Sequence, residues 1–227
     1  MKYIVIGLGH FGAVLSEKLT AMGHEVIGVD IDPQKVEDLK QTVATTIALD
    51  SRDQNALNVL PLKDADTVFV TIGEDFGASI HIIALLKQHK VKRLVGRAVS
   101  PLHKTVMEAI GVDEIIMPEQ EYAGTYASRI EVAGASDVYI VDDQSLIAEI
   151  PLPAIYVGQT VKDIHLNENF SLMLIAIKRN DTEKNLLGAT RQTKKLLPKF
   201  DDQTPLQEKD VLLVFGKIGD IKKFESM

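Results

Sequence analysis

An α/β chain with a doubly wound parallel sheet, then a crossover helix and a small α+β C-terminal domain, is predicted by three features of the sequence. The chain opens on an apolar strand, a glycine turn and an amphipathic helix. Strand-like and helix-like segments then alternate through the first half. Beyond about residue 137 the period changes to short alternating strands. Alternation of this kind requires right-handed crossovers and a sheet covered on both faces.

The opening runs Lys2-Tyr3-Ile4-Val5-Ile6, then Gly7-Leu8-Gly9-His10-Phe11-Gly12, then a helical pattern from Ala13. Gly7 permits a sharp exit from the strand. Gly9 leaves room for a ligand to approach the backbone, and Gly12 lets the helix pack close to the sheet. Free N–H groups at the helix start, aided by its dipole, suit phosphate oxygens. A second strand ends in Asp30, beside Ile31 and 18 positions past Gly12, where a carboxylate can accept from ribose hydroxyls. The same carboxylate repels a 2′-phosphate, which argues against NADP. Together these residues predict a Rossmann-type cradle for the pyrophosphate and ribose of an adenine nucleotide.

Strands are expected over 2–7, 25–30, 45–49, 66–72, 93–98 and 112–116, and helices over 10–22, 33–42, 52–60, 76–90 and 101–110. Asp32 caps the second helix, with Pro33 in its first turn. Gly23 and Gly111 stand where helix C-terminal glycines occur. The nucleotide-binding domain thus spans 1–117. A crossover helix follows in 118–136, its face carrying Tyr122, Tyr126 and Ile130. The C-terminal domain, 137–227, contains strands around 138–150, 170–177 and 211–215, with short helices near 160–166 and 217–225. The stretch 178–199 lacks a clear period and is rich in Lys and Arg, as in a mobile loop or an extended hairpin.

The chain has 227 residues, 45% hydrophobic and 25% charged, with a net charge of −7. That balance argues against nucleic-acid binding through a basic surface. No cysteine is present, which excludes disulfides, thiolate nucleophiles and cysteine-rich zinc sites and fits a reducing cytosol. The N-terminus leads straight into a core strand, so no signal peptide is expected. No apolar run reaches the roughly 18 residues that span a bilayer, so no direct membrane insertion is expected.

Further ligand contacts are expected at the carboxyl ends of the strands. Asp50 and Ser51 follow the third strand and can meet adenine or its ribose; for Asp50 an ordinary helix cap is the alternative. Thr71, Ile72 and Gly73 follow the fourth strand. Arg97 ends the fifth, suited either to phosphate oxygens or to a surface ion pair. His10 points toward the phosphates from within the turn. Glu119 and Glu121 open the helix after Pro118, where acids complement the dipole; the alternative for them is a divalent cation with ligands from more than one chain. His24 is expected to meet the carbonyls at its helix end, and His81 to be a core or interface histidine. No acid–base pair of a nicotinamide enzyme is apparent, and a domain of about 90 residues is thin for enclosing a substrate.

Gly7-Leu8-Gly9-His10-Phe11-Gly12, Gly23-His24-Glu25-Val26 leading to Val29-Asp30-Ile31-Asp32, Thr71-Ile72-Gly73 and Ile115-Ile116-Met117-Pro118-Glu119 resemble the RCK (KTN, TrkA-N) domain. Val157-Gly158-Gln159-Thr160-Val161, Ile175-Ala176-Ile177-Lys178-Arg179 and Lys209-Asp210-Val211-Leu212-Leu213-Val214-Phe215-Gly216 resemble its companion, the TrkA-C domain. A single unit of this length is similar to the cytosolic gating subunit of a Ktr-type potassium uptake system. The resemblance implies a cytoplasmic, non-enzymatic regulatory subunit, peripheral to the cell membrane through an integral-membrane potassium transporter or channel subunit. It implies a homodimer assembling into an octameric ring, with ATP, ADP or NAD(H) as ligand. It also implies a divalent cation at Glu119 and cyclic di-AMP at the C-terminal domain. Two residues depart from the family pattern. His10 stands where ATP-responsive members carry arginine, leaving NAD(H) or AMP more open, and the basic stretch after Arg179 is longer than a compact turn. The rival readings are an NAD-dependent oxidoreductase and a purely structural assembly protein.

Overall fold

Lys2–Ile6 forms β1, the centre of a six-stranded parallel sheet. It is followed by α1 (His10–Ala21), β2 (Glu25–Asp30), α2 (Pro33–Asp38), β3 (Thr45–Ala48), α3 (Gln54–Leu57), β4 (Thr67–Val70), α4 (Phe76–Gln88), β5 (Leu94–Arg97), α5 (Pro101–Ile110) and β6 (Glu114–Ile116). The strand order is β3-β2-β1-β4-β5-β6. The chain therefore winds outward one way from β1 and then the other way from β4, and this reversal opens a crevice at the carboxyl ends of β1 and β4. Ile4, Ile6 and Val68 belong to an apolar cluster shared with Ile83 and Leu86 of α4. Val5 and Val26 belong to another, with Val36 of α2. Alternation along β1 thus feeds both faces of the sheet, and burial of both faces explains why its strands read as nearly continuous apolar runs.

The computed structural model describes residues 1–132, 134–184 and 190–227. Its contacts divide the chain into Met1–Gln120 and Glu121–Met227. The helix α6 (Pro118–Glu131) carries the chain from one unit to the other. It buries none of its residues, leaving Tyr122, Tyr126 and Ile130 exposed. Among the described residues no helix is long and apolar enough to cross a membrane.

The second unit contains β7 (Asp137–Ile140), β8 (Ser145–Pro151), a 3-10 turn (Ala154–Tyr156), α7 (Leu166–Phe170), β9 (Met173–Lys184), β10 (Thr190–Leu196), β11 (Val211–Lys217) and α8 (Ile218–Glu225). Its strands are ordered β10-β9-β11-β8-β7 and pair antiparallel. Leu146, Ala148, Ile150, Leu212 and Val214 pack with Ile221 and Phe224 of α8. Arg179 of β9 is pinned to the fully buried Asp210 carboxylate by two hydrogen bonds, of 2.9 and 2.7 Å. It also donates to the Pro205 carbonyl at 2.9 Å.

Several expectations are corrected here. The helix expected over 160–166 is displaced to α7. The Asp163 carboxylate accepts from both the backbone N–H and the hydroxyl of Thr160, forming a turn, and His165 takes a left-handed conformation (φ 50°) that a helix cannot contain. The helices expected over 33–42 and 52–60 shorten to α2 and α3, the latter because Asp53 caps it by accepting from the Asn55 N–H. The crossover helix ends at Glu131, short of 136. For the basic stretch the second of the two expectations holds, an extended hairpin: β9 and β10 pair antiparallel, in register from Lys178↔Leu196 to Lys184↔Thr190, with 185–189 outside the described residues. Of the two places expected for His81, the core of this chain is excluded, since it is exposed on α4. The His24 ring packs edge-on to Tyr3, 5.2 Å between centroids, and its backbone N–H bonds the Leu19 carbonyl. The fully buried histidine is His103 on α5.

Candidate functional site

The crevice at the carboxyl ends of the first unit's strands holds a cavity of about 480 Å³. Its shape depends on the turn after β1. Gly7 has φ +100°, a conformation side chains resist, and a Cβ there would lie 2.7 Å from Ile72 Cγ1. The Thr71 hydroxyl donates between the Gly7 carbonyl (2.6 Å) and the Ile6 carbonyl (3.1 Å), tying the turn to the end of β4. At Gly12 a Cβ would fall 1.9 Å from the Gly7 carbonyl oxygen, so only glycine lets α1 approach this closely. At Gly9 nothing lies within 4 Å of that position; the space is open.

The helices α2, α3, α4 and α5 begin on a side chain that accepts from a first-turn N–H: Asp32, Asp53, Asp75 and Ser100. By contrast α1 begins on Gly9, with no side-chain cap and no acid in its first turn. Its N-terminal dipole is left for an anion arriving over the cavity-lining Gly7, Gly9 and His10.

Asp30 ends β2 with 7% of its surface exposed and its carboxylate on the cavity. One oxygen accepts from the Leu8 N–H at 2.6 Å, the other from the Asp32 N–H at 2.9 Å. A carboxylate oxygen has a second lone pair, so each can still accept from a diol. Ile31 lines the wall beside it.

Asp50 and Ser51 line the cavity beyond β3. Asp50 is no helix cap, since Asp53 fills that role. It accepts from the Arg52 backbone N–H (3.0 Å) and from Arg52 Nε (2.9 Å) and Nη2 (2.8 Å). These bonds, led by the guanidinium, hold its carboxyl below the usual carboxylate range. Ser51 is 4% exposed and its hydroxyl is buried without a partner.

Ile72, Gly73, Val99 and Arg97 line the far end. The Arg97 guanidinium pairs with Glu119 in the first turn of α6, donates to the Thr71 carbonyl at 3.3 Å, and lies 5.7 Å from the centroid of Phe11. A Cβ on Gly73 would be 2.9 Å from Arg97 Nη1, so glycine makes the seat for this side chain.

Of the residues singled out in the sequence, Gly7, Gly9, His10, Asp30, Ile31, Asp50, Ser51, Thr71, Ile72, Gly73 and Arg97 line the cavity. Three do not. Phe11 supports Arg97 from below, Gly12 supplies the close packing of α1, and Glu119 reaches the site only through Arg97. Sequence reasoning missed Lys35, Arg52, Glu74 and Asp75, which also line it. The signal was adjacency: Glu74 and Asp75 directly follow Gly73, and Arg52 follows Ser51. Among the described residues no three His, Asp or Glu side chains converge as a metal site, and the Glu119 carboxylate pairs with the Arg97 guanidinium.

A glycine turn, an uncapped helix start and a buried acid closing the second strand define a Rossmann-type ligand domain, here joined to an antiparallel α+β domain. The chain belongs to the TrkA-N/TrkA-C family: residues 3–118 match the TrkA-N domain and residues 146–227 the TrkA-C domain. It is 30% identical over 224 residues to Ktr system potassium uptake protein C of Bacillus subtilis (strain 168), covering 99% of this chain and 96% of that protein. The crystal structure of the GsuK RCK domain is similar in fold, with a TM-score of 0.63 at 15% identity, over 99% of this chain and 47% of that longer one. The GsuK channel bound to NAD gives a TM-score of 0.59 at 14% identity, over 99% of this chain and 38% of that chain. This chain therefore spans less than half the length of either GsuK chain.

Proposed function

We propose that this chain is a cytosolic regulatory subunit of a potassium uptake system, binding an adenine nucleotide in the crevice and transmitting its occupancy without turning it over. The observation that carries the reading is the Asp30 carboxylate, buried at the cavity and tied to the glycine turn through Leu8. The similarity to a Ktr potassium uptake protein over nearly the whole chain supports the potassium role. In this reading the ribose sits on Asp30, the phosphates lie over the start of α1, and the far group extends toward Ile72, Val99 and Arg97.

The charges favour NAD(H) over ATP. Asp30, Asp50, Glu74 and Asp75 line the cavity against Lys35, Arg52 and Arg97, and Arg97 is engaged by Glu119. A terminal phosphate would add charge to a lining of four acids and three cations and would have to compete with the carboxylates that pair Arg52 and Arg97, whereas a nicotinamide riboside brings no added negative charge. His10, in place of an arginine, supplies no fixed positive charge to offset this.

Copies of the chain would pair and close into an octameric ring on the cytoplasmic face of a membrane partner. A ligand shifts such a ring only by binding one shape more tightly than another, and repetition around the ring sharpens the response. A divalent cation at Glu119 would have to take that carboxylate from Arg97 and find its other ligands outside this chain. The proposed ligand set also includes cyclic di-AMP at the C-terminal unit.

Calorimetric titration with ATP, ADP, NAD+, NADH and cyclic di-AMP, with and without magnesium, tests the reading. NAD(H) should bind about tenfold more tightly than ATP, a difference of ~1.4 kcal/mol. Sedimentation with and without ligand should report an assembly whose shape responds. A monomer that takes up none of these compounds would refute the proposal, and substrate-dependent oxidation of NADH would favour the oxidoreductase instead.

A further inference from the structure

Arg97 makes two kinds of contact at once. It lines the ligand cavity, and it holds the first turn of the helix that leaves the nucleotide unit. Its side chain is 17% exposed, whereas Glu119 is 61% exposed on the outer side of the pair. A guanidinium carries five donors. Here Nη2 bonds Glu119, Nη1 bonds the Thr71 carbonyl, and Nε is buried with no partner. The group is thus under-satisfied by neutral and carboxylate acceptors alone. Phe11, beneath the guanidinium, lies in the first turn of α1. An anion seated on that helix start is therefore close to Arg97. A terminal phosphate offers more charge and more acceptor oxygens than one carboxylate, and two of those oxygens can meet the guanidinium's paired donors.

We propose that Arg97 couples the cavity to α6: a phosphate group in the cavity draws the guanidinium away from Glu119, and the first turn of α6 is released. This rests on the proposed nucleotide site and adds the means by which occupancy leaves it. Glu119 is ionised in the latched state. Burial raises its pKa, but its own backbone N–H and the Arg97 contact outweigh this and lower it. The empty site therefore spends Arg97 on holding α6, and the loaded site spends it on the ligand. Adenosine, which lacks phosphate, should fill the ribose end without opening the latch.

The test compares wild type, Glu119→Gln, Arg97→Ala and the double variant, each checked for an unchanged melting temperature, by calorimetry with ADP and adenosine. Amide hydrogen exchange is followed over residues 119–123. Glu119→Gln frees the guanidinium and should tighten ADP about three- to tenfold while leaving adenosine unchanged. Arg97→Ala should weaken ADP, and adding Glu119→Gln to it should then change nothing. In wild type, ADP should speed exchange over 119–123 toward the Glu119→Gln level, and adenosine should not. ADP binding with unaltered exchange there, or weaker ADP binding by Glu119→Gln, overturns the latch while leaving the nucleotide site intact. Absence of any binding by either compound overturns both.

Discussion

The Leu8 N–H donates to the Asp30 carboxylate at 2.6 Å, so the acid proposed to grip a ribose also fixes the glycine turn proposed to hold its phosphates. Stability and affinity are joined in one side chain. Asp30→Ala leaves the Leu8 and Asp32 N–H groups without their acceptor, a cost of about 1–3 kcal/mol for a buried donor. The expected outcome is a lower melting temperature together with at least tenfold weaker binding of ribose-bearing ligands. Asp30→Asn keeps one acceptor oxygen and should recover part of the stability but little of the affinity. Paired melting and calorimetric curves separate the two effects, and unchanged affinity in both variants would remove Asp30 from the ligand site.

Two glycines of the same turn should respond in opposite ways to the same substitution. A Cβ at Gly9 meets nothing within 4 Å and the residue has an ordinary φ of −65°, so Gly9→Ala should melt close to wild type. Its methyl group projects into space open to a ligand, however, and nucleotide affinity should fall about tenfold or more. A Cβ at Gly12 collides with the Gly7 carbonyl oxygen and lies 2.6 Å from Thr71 Oγ1. Gly12→Ala must push α1 off the sheet and should destabilise by about 1–3 kcal/mol, as overpacking does. Thermal melts of both variants decide it; equal losses of stability would mean the turn is not seated as described.

What the sequence makes legible here is what short-range chemistry controls. Asp32 before Pro33, Ser100 before Pro101 and Gly111 at φ +82° each carry their structural consequence within a few residues. The place of Asp30 beside the glycine turn is equally readable, because strand, turn and helix fix it. Lys35 is harder, since its place on the cavity depends on how neighbouring strand ends gather in space, whereas Arg52, Glu74 and Asp75 adjoin residues already singled out. The helix displaced from 160–166 was hidden by a left-handed His165, a conformation that no pattern of polarity announces. Arg179 reads as one more charge in a basic stretch, yet its partner Asp210 is 31 positions away and fully buried. The Arg97–Glu119 pair is hidden for the same reason: each residue alone suggests a charge contact, but not with the other.

His103 gives the nucleotide unit an acid-sensitive point. It is fully buried on α5, its ring centroid 4.8 Å from that of Phe76. Its Nδ1 accepts from the Val99 N–H at 3.4 Å, which places the proton of the neutral ring on Nε2, buried without a partner. Burial pushes its pKa below the usual imidazole value of about 6.5. A depressed folded value means that the unfolded chain takes up the proton first. The stability contributed by the neutral ring is therefore whole above about pH 6.5 and is lost as the pH falls through the folded value. Protonation would also turn Nδ1 from acceptor to donor against the Val99 N–H. Melting temperature measured from pH 7.5 to 5 should fall by several degrees in wild type, each ~1 kcal/mol being worth roughly 4 °C in a domain of this size. In His103→Leu, which keeps the apolar contact with Phe76 and cannot titrate, the fall should be clearly shallower. Parallel curves for the two proteins would show that the acid sensitivity arises elsewhere, and since Val99 lines the cavity, ligand affinity measured over the same range should follow the wild-type curve.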